Sequence, residues 1–253
     1  MNVADEKRID CRIEKQQYSS VCIICFGAMG PLYANGEPGD ADYAFQDVLQ
    51  EMPVNKIFLR DRKQVWYQAG IFGIGDNISE TAHSLSHIID TMRADKILCI
   101  GASSGAYAAI VFGYLLGAHH IMAFSPRTTL RAAHLLCMRD NRRKSCIKLM
   151  RQGCPEKKYF DLLSLLRQKH YAGKIDIYYS KNHRLDRAHA RRMNKLPAVT
   201  LHECNEGGHF VVRSFKQNGD LEKIITLALA VSCKMESGLI SAIEVGSEPG
   251  PVI

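Results

Sequence analysis

Short apolar runs alternate with longer amphipathic or small-residue segments along most of the chain. Residues 21–26, 56–60, 96–100, 120–124, 174–179 and 199–204 are rich in Ile, Val, Phe, Tyr and Cys. Runs with little polar alternation fit strands buried on both faces. Strands that take turns with helical segments predict a mostly parallel central sheet flanked by helices.

The clearest helix is predicted over 78–92. Ile78, Ala82, Leu85, Ile89 and Met92 recur at spacings of four, three, four and three, one stripe of a 3.6-residue helix. Asn77 or Ser79 can cap its start by accepting from a free backbone N–H. Residues 104–116 are small and apolar all round, as suits a helix packed on a sheet, and Gly117 is placed to end it in a left-handed conformation. The stretch 127–173 breaks the alternation, with three helical segments, no clear strand and a break at Gly153-Cys154-Pro155. Such an insertion between two strands predicts a helical cap over the strand ends. A further helix is expected around 220–233. The tail 236–253, with three glycines and two prolines, is expected to be partly disordered.

At 253 residues the chain suits a single domain, 1–253, built on one sizeable core. Apolar residues make up 46% and charged residues 23%, which disfavours disordered and fibrous classes. No apolar run approaches a membrane span. Residues 1–17 are crowded with charge and lack the apolar stretch of a secretory signal, so a cytoplasmic location is expected. The nine cysteines agree, because Cys22, Cys25 and Cys99 sit within strand-like runs, where free thiols behave as small hydrophobes. Cys22-x-x-Cys25 has the spacing of a redox or metal pair. Residues three apart on a strand point to opposite faces, however, and no second pair follows.

The net charge of +7 is unevenly spread. Residues 127–195 carry 19 lysines and arginines against five acidic residues, while the remainder has an acidic excess. Such a block fits a surface for polyanions, anionic glycans or membrane headgroups, or else a solvated helical face. No nucleic-acid motif accompanies it, so nucleic acid is not expected as a partner.

The segment with most chemical content is Lys96-Ile-Leu-Cys-Ile-Gly-Ala-Ser-Ser-Gly-Ala-Tyr-Ala-Ala. Gly101-Ala102-Ser103-Ser104-Gly105 matches the G-x-S-x-G elbow, in which a strand turns sharply into a helix and lifts a serine hydroxyl above the sheet. An apolar strand before it and a small-residue helix after it are the context that motif requires. Only Ser103 has glycine at both −2 and +2, which favours it over Ser104 as nucleophile.

A serine hydroxyl needs a base, and the base needs an orienting carboxylate. In the α/β-hydrolase arrangement these follow in the order Ser, Asp or Glu, His, on loops after later strands. His209, in the glycine-rich loop after 199–204, is the expected base, with His202 inside the strand pattern as competitor. His183 and His189 flank the acid candidate too closely. Asp186, in the segment after 174–180, is the expected acid, with a helix N-cap as its alternative role. The oxyanion hole should use the backbone N–H of Ser104 and that of Gly27 or Ala28, in the loop after 21–26. This chemistry calls for no cofactor and no metal.

A wider resemblance follows. Gly101-Ala-Ser103-Ser-Gly105-Ala-Tyr107, Phe112-Gly113, Leu116-Gly117-Ala118 and Ala123-Phe-Ser-Pro126 resemble a family of bacterial α/β-hydrolase-like proteins found alongside glycosyltransferases and capsule or surface-polysaccharide systems. That family is related to the glycan O-acetyltransferases of accessory secretion. Leu59-Arg-Asp61, Trp66-Tyr67-x-x-Gly70, the run from Asp186 through Gly208-His209, and Asn218-Gly219-Asp220-Leu221 are similar to it as well. Two positions depart from its pattern: Ala106, where Gly is common, and Arg127, where Gln is frequent. The resemblance implies the trio Ser103, Asp186 and His209.

The expected function is an esterase or deacylase acting through an acyl-enzyme on an ester-bearing glycan or related small metabolite, with an anionic substrate if the basic cap faces the site. An O-acyltransferase would use the same residues. An accessory protein to a glycosyltransferase, docking through the basic 127–195 region, is the alternative of a different class.

Overall fold

The computed structural model describes residues 10–30, 43–154 and 156–230, without the side chain of residue 149. Among these residues seven strands form one sheet: β1 (Cys11–Glu14), β2 (Val21–Phe26), β3 (Asn55–Leu59), β4 (Lys96–Ala102), β5 (His120–Phe124), β6 (Lys174–Ser180) and β7 (Val199–Cys204). Their order is β1-β3-β2-β4-β5-β6-β7. All neighbours pair in parallel except β1, an antiparallel edge strand on β3. The six predicted strands are present, with ends shifted by no more than two residues. β1 was not expected, since its four residues Cys-Arg-Ile-Glu give no sustained apolar run.

Each central strand is apolar on both faces because each face meets its own helical layer. Cys22, Ile24 and Phe26 belong to the larger core cluster, with α2 (Ile78–Thr91) and α3 (Ser104–Leu115). Ile23 and Cys25 belong to a second cluster with Leu49 of α1 (Gln46–Leu49), Val211 of α8 (Val211–Gln217), and Leu221 and Ile225. Cys22 and Cys25 thus lie on opposite faces of the sheet, and burial pushes the Cys22 thiol up to about 12.

The caps behave as their chemistry requires. Asn77 Oδ1 accepts from Glu80 N at 2.9 Å and starts α2, while Ser79 turns away to hydrogen-bond Glu156. Gly117 takes φ +64° just past α3. Residues 220–230 are helical, and the expected tail 236–253 lies outside the described residues.

Between β5 and β6 the chain forms α4 (Ala132–Cys137), α5 (Lys144–Gly153), a 3-10 turn (Lys157–Phe160) and α6 (Leu162–Leu166). An isolated antiparallel bridge, Thr129 to Asp161, ties its ends together. After β6 come α7 (Arg184–Met193) and, past β7, a 3-10 turn at Gly208–Phe210.

Topology locates the site. The chain leaves β2 on one side to make β3, then crosses to the other side to make β4. The carboxyl ends of β2 and β4 therefore diverge into a crevice, the place where open α/β sheets bind ligands. Ala28 follows β2 there and Ser103 follows β4.

Candidate active site

Ser103 stands between β4 and α3 with φ +53° and ψ −113°. A non-glycine residue held there stores strain on the order of 1–3 kcal/mol. The surroundings hold it in place. Ser103 N donates to Phe124 O at 2.8 Å, at the end of β5. Both motif glycines are needed for close approach: a Cβ on Gly105 would collide with the Phe26 carbonyl, and one on Gly101 with the Gly105 carbonyl.

Ser103 Oγ lies 2.9 Å from His209 Nε2, and His209 Nδ1 lies 2.6 Å from Asp186 Oδ2. With Nδ1–H donating to the carboxylate, Nε2 is left to accept from the serine hydroxyl. Asp186 is 1% exposed. It lies in the first turn of α7 rather than in a loop, and that helix is capped by His183, whose Nδ1 accepts from Asp186 N at 3.3 Å. Burial alone would raise the Asp186 carboxyl, but His209 and then Arg142 outweigh it and hold the carboxyl below its usual value. Arg142 Nη1 donates to Asp186 Oδ1 at 2.8 Å.

Ser104 has a different task. Its Oγ accepts from Met29 N at 2.8 Å, so its hydroxyl pins the loop after β2 beside the turn. Of the two expected oxyanion donors in that loop, Gly27 is corrected. Its N–H donates to Leu59 O at 2.8 Å, which completes the β2–β3 ladder and leaves nothing to offer a ligand. Ala28 lines the cavity with Ser103 and Ser104. The N–H of Ser104, at the first position of α3, has no carbonyl one turn back within its helix to bond. Tyr67 OH shares its one proton between Gly27 O at 3.0 Å and Leu59 O at 3.1 Å, bracing the loop from below.

The cavity above Ser103 measures about 330 Å³ and is walled by Ala28, Met29, Trp66, Arg127, Arg142, Arg143, His209 and Phe210. Two of its arginines are organised by one buried carboxylate, Asp140. Arg142 grips it through Nε at 3.0 Å and Nη2 at 2.9 Å, and Arg127 Nη2 reaches it at 3.0 Å. His189 Nε2 lies 3.0 Å from Asp140 Oδ2, while its Nδ1 accepts from Thr128 N at 3.1 Å, which fixes the proton on Nε2. Burial would raise the Asp140 carboxyl, yet His189 and the two guanidiniums press it far below the usual range. Arg143 Nη2 donates to Gly30 O at 3.1 Å, joining the helical segment to the loop after β2.

His202 is not in this group. Its Nε2 is 2.8 Å from Asp176 Oδ1 on β6, and its ring stacks on Tyr178. His189, read from sequence as too near the acid to matter, is fully buried one step behind the site. Arg127, Asp140, Arg142, Arg143 and Trp66 were not singled out by the sequence reading as site residues. The signal available was the basic excess of 127–195, and part of that excess does face the cavity.

Among the described residues, His183, Asp186 and His209 are the one group of three whose metal-ligating atoms converge, within 4.8 Å. His209 and Asp186 already bond each other, and the Arg142 cation occupies the other carboxylate oxygen. That arrangement suits proton transfer better than holding a metal ion.

No protein-family profile matches the sequence, and no curated protein matches it. Solved structures do. The capsule O-acetyltransferase of Neisseria meningitidis serogroup A is similar at TM-score 0.62 and 17% identity, over 87% of this chain and 92% of that one. Acetyl xylan esterase 1 from Thermoanaerobacterium sp. is similar at TM-score 0.55 and 14% identity, over 83% and 77% of the two chains. The Glycosylation Associate Protein (Gap123) complex from Streptococcus agalactiae is similar at TM-score 0.57 and 14% identity, over 85% of this chain and 43% of that one. With the seven-stranded, mostly parallel sheet, these likenesses give the chain the α/β-hydrolase fold.

Proposed function

We propose that this protein is a serine esterase or deacylase that works through an acyl-enzyme on Ser103. The observation that carries the reading is the unbroken hydrogen-bonded chain from Ser103 Oγ through His209 to the buried Asp186, opening into a cavity. His209 Nε2 takes the hydroxyl proton as Ser103 Oγ attacks the ester carbonyl, and Asp186 holds the tautomer and balances the imidazolium. The N–H groups of Ser104 and Ala28 receive the oxyanion. Collapse of the tetrahedral intermediate expels the alcohol, protonated by His209, and leaves an acyl group on Ser103. Water, activated by the same imidazole, then releases the acid.

An ester-bearing glycan or a related metabolite is the substrate class we favour. Support comes from the capsule enzyme, the xylan esterase and the glycosylation complex that the fold resembles. The likeness to a capsule O-acetyltransferase also supports a second reading, in which a sugar hydroxyl replaces water in the second half-reaction. Association with a glycosyltransferase, a cytoplasmic location, and a single domain capped by residues 127–173 belong to the same proposal. Among the described residues no helix is long and apolar enough to cross a membrane.

The test is labelling with a fluorophosphonate probe, followed by turnover of nitrophenyl esters of rising chain length with and without added sugar acceptors. Ser103→Ala should lose the label and stay folded. Transfer that outpaces hydrolysis would select the acyltransferase. A folded wild-type protein that takes no label at Ser103 would overturn the enzyme reading in favour of an accessory role.

A further inference from the structure

Arg127 follows Pro126 just past β5 and reaches into the wall of the Ser103 cavity. It is 6% exposed. One side of its guanidinium is committed, with Nη2 donating to Asp140 Oδ1 at 3.0 Å and to Arg142 O at 2.9 Å. One face lies 5.2 Å from the centre of the Trp66 ring, and Trp66 lines the same cavity. Nη1, by contrast, is buried and has no hydrogen-bond partner among the described residues. Unpaired buried donors are rare in folded proteins, and one on a cation is a strong demand for an acceptor.

The charge around this nitrogen decides what kind of acceptor. Three guanidiniums, of Arg127, Arg142 and Arg143, line the cavity. Among the described residues Asp140 and Asp186 are the two carboxylates that neutralise them, and both are engaged by Arg142. Arg143 meets neutral acceptors, Gly30 O at 3.1 Å and Gln64 Oε1 at 3.5 Å, with no carboxylate among the described residues. Among the described residues one positive charge in the wall is left uncompensated, beside an unused planar donor.

We propose that Arg127 Nη1, with Arg143 in the same wall, forms an anion subsite for a carboxylate or phosphate carried by the ester substrate. This deepens the esterase reading and rests on Ser103 being the reactive serine. A guanidinium presents donors in the fixed fork that carboxylate and phosphate oxygens match, which a neutral acceptor cannot exploit to the same degree. Trp66 and Asp140 keep the guanidinium plane from turning away. A neutral ester of the same size would leave Nη1 unpaired, so the site discriminates by that missing bond.

Trp66 is the sole tryptophan of the chain, which gives a readout that does not depend on catalysis. Sodium phosphate and sodium acetate are titrated into the whole protein against sodium chloride of matched ionic strength, and Trp66 emission is followed. In parallel, the rate of fluorophosphonate labelling at Ser103 is measured with the same salts, and kcat/KM with matched neutral, carboxylate-bearing and phosphate-bearing nitrophenyl esters. The expected result is saturable change of Trp66 emission, at least fivefold slower labelling with the preferred anion, and at least a tenfold preference for one anionic ester. The preferred ester shows whether carboxylate or phosphate is the natural group. Arg127→Met should reduce the protection below twofold. Because that change could unfold the protein by stranding Asp140, Arg143→Gln serves as the second variant and should weaken protection severalfold. Emission and labelling that respond no more to phosphate or acetate than to chloride would overturn the subsite. Anion-dependent Trp66 emission with no label at Ser103 would support the subsite as an anion site and count instead against the esterase reading.

Discussion

Arg142 Nη1 and Asp186 Oδ1 are 2.8 Å apart, so the carboxylate that steadies His209 with one oxygen is held by a guanidinium with the other. The acid cannot rotate without breaking both bonds, and burial denies it water as a substitute. With Ser103 reacting as proposed, Arg142 acts as a positioning residue. Arg142→Gln should lower kcat by about 10²-fold, as small misplacements of catalytic groups do. KM for a neutral ester should change little. A raised KM with kcat intact would make Arg142 a substrate-binding group instead.

The hydrogen-bonded trio predicts a graded loss of rate. His209→Ala should reduce kcat by roughly 10⁴ to 10⁶ and Asp186→Asn by roughly 10⁴, the range seen when triad members are removed. His202→Ala should leave kcat as it is, because its imidazole is tied to Asp176 and Tyr178. Steady-state kinetics on one activated ester checks all three, and a collapse in His202→Ala with normal turnover in His209→Ala would reassign the base.

Asp140 predicts a stability effect. It is the shared counter-ion of Arg127 and Arg142, and it accepts from His189 Nε2. Asp140→Ala strands buried cations, and removing one partner of a buried ionic group costs about 3–5 kcal/mol. Urea denaturation measures this directly. A loss under about 1 kcal/mol, the range of exposed pairs, would mean the cluster is wetter than its geometry implies.

Asp61 predicts a pH dependence of the opposite sign to ordinary carboxylates. Burial pushes its carboxyl up to about 6, and the N–H groups of Tyr67, Val65 and Gln64 recover only part of that. The folded value lies above the unfolded one, so the contribution is fully present below about pH 4 and is lost as pH rises through 6. Asp61→Asn carries no proton equilibrium. Relative to the wild type it should gain stability between pH 4 and 7, by on the order of 3 kcal/mol at most. A pH-independent difference between the two denaturation series would show that the site is hydrated.

Two glycines predict contrasting outcomes. Gly105→Ala forces a Cβ into the Phe26 carbonyl and should both destabilise the fold and depress Ser103 labelling. Gly153, the last residue of α5, has open space around it, and Ala there should be neutral or stabilising by up to about 1 kcal/mol. Thermal melts of the pair check the contrast.

Much of this architecture was legible because its elements are locally encoded. The strands over 120–124 and 199–204 announce themselves by composition, and the turn at Ser103 by its two glycines. That Ser103, His209 and Asp186 come within hydrogen-bonding distance was reachable because chain order and strand ends constrain where such groups sit. Gly27 misled, since sequence gives no sign that its N–H is spent on Leu59 O. Asp140 and Arg142 were hidden for a deeper reason. Their roles come from contacts 44 to 49 residues away along the chain, to Asp186 and His189, within a segment whose basic composition reads equally well as a wet surface.

The link from Arg143 to Gly30, taken with that from Arg142 to Asp186, has a consequence for how this protein can fail. A segment that contributes no strand to the sheet holds Asp186 on one side and the loop after β2 on the other. If that segment loosens, the larger core loses Leu135, Ile147, Met150 and Leu162 together with the hold on Asp186. Competence and integrity are thus tied together along the chain: damage between β5 and β6 thins the core and loosens Asp186 in one stroke.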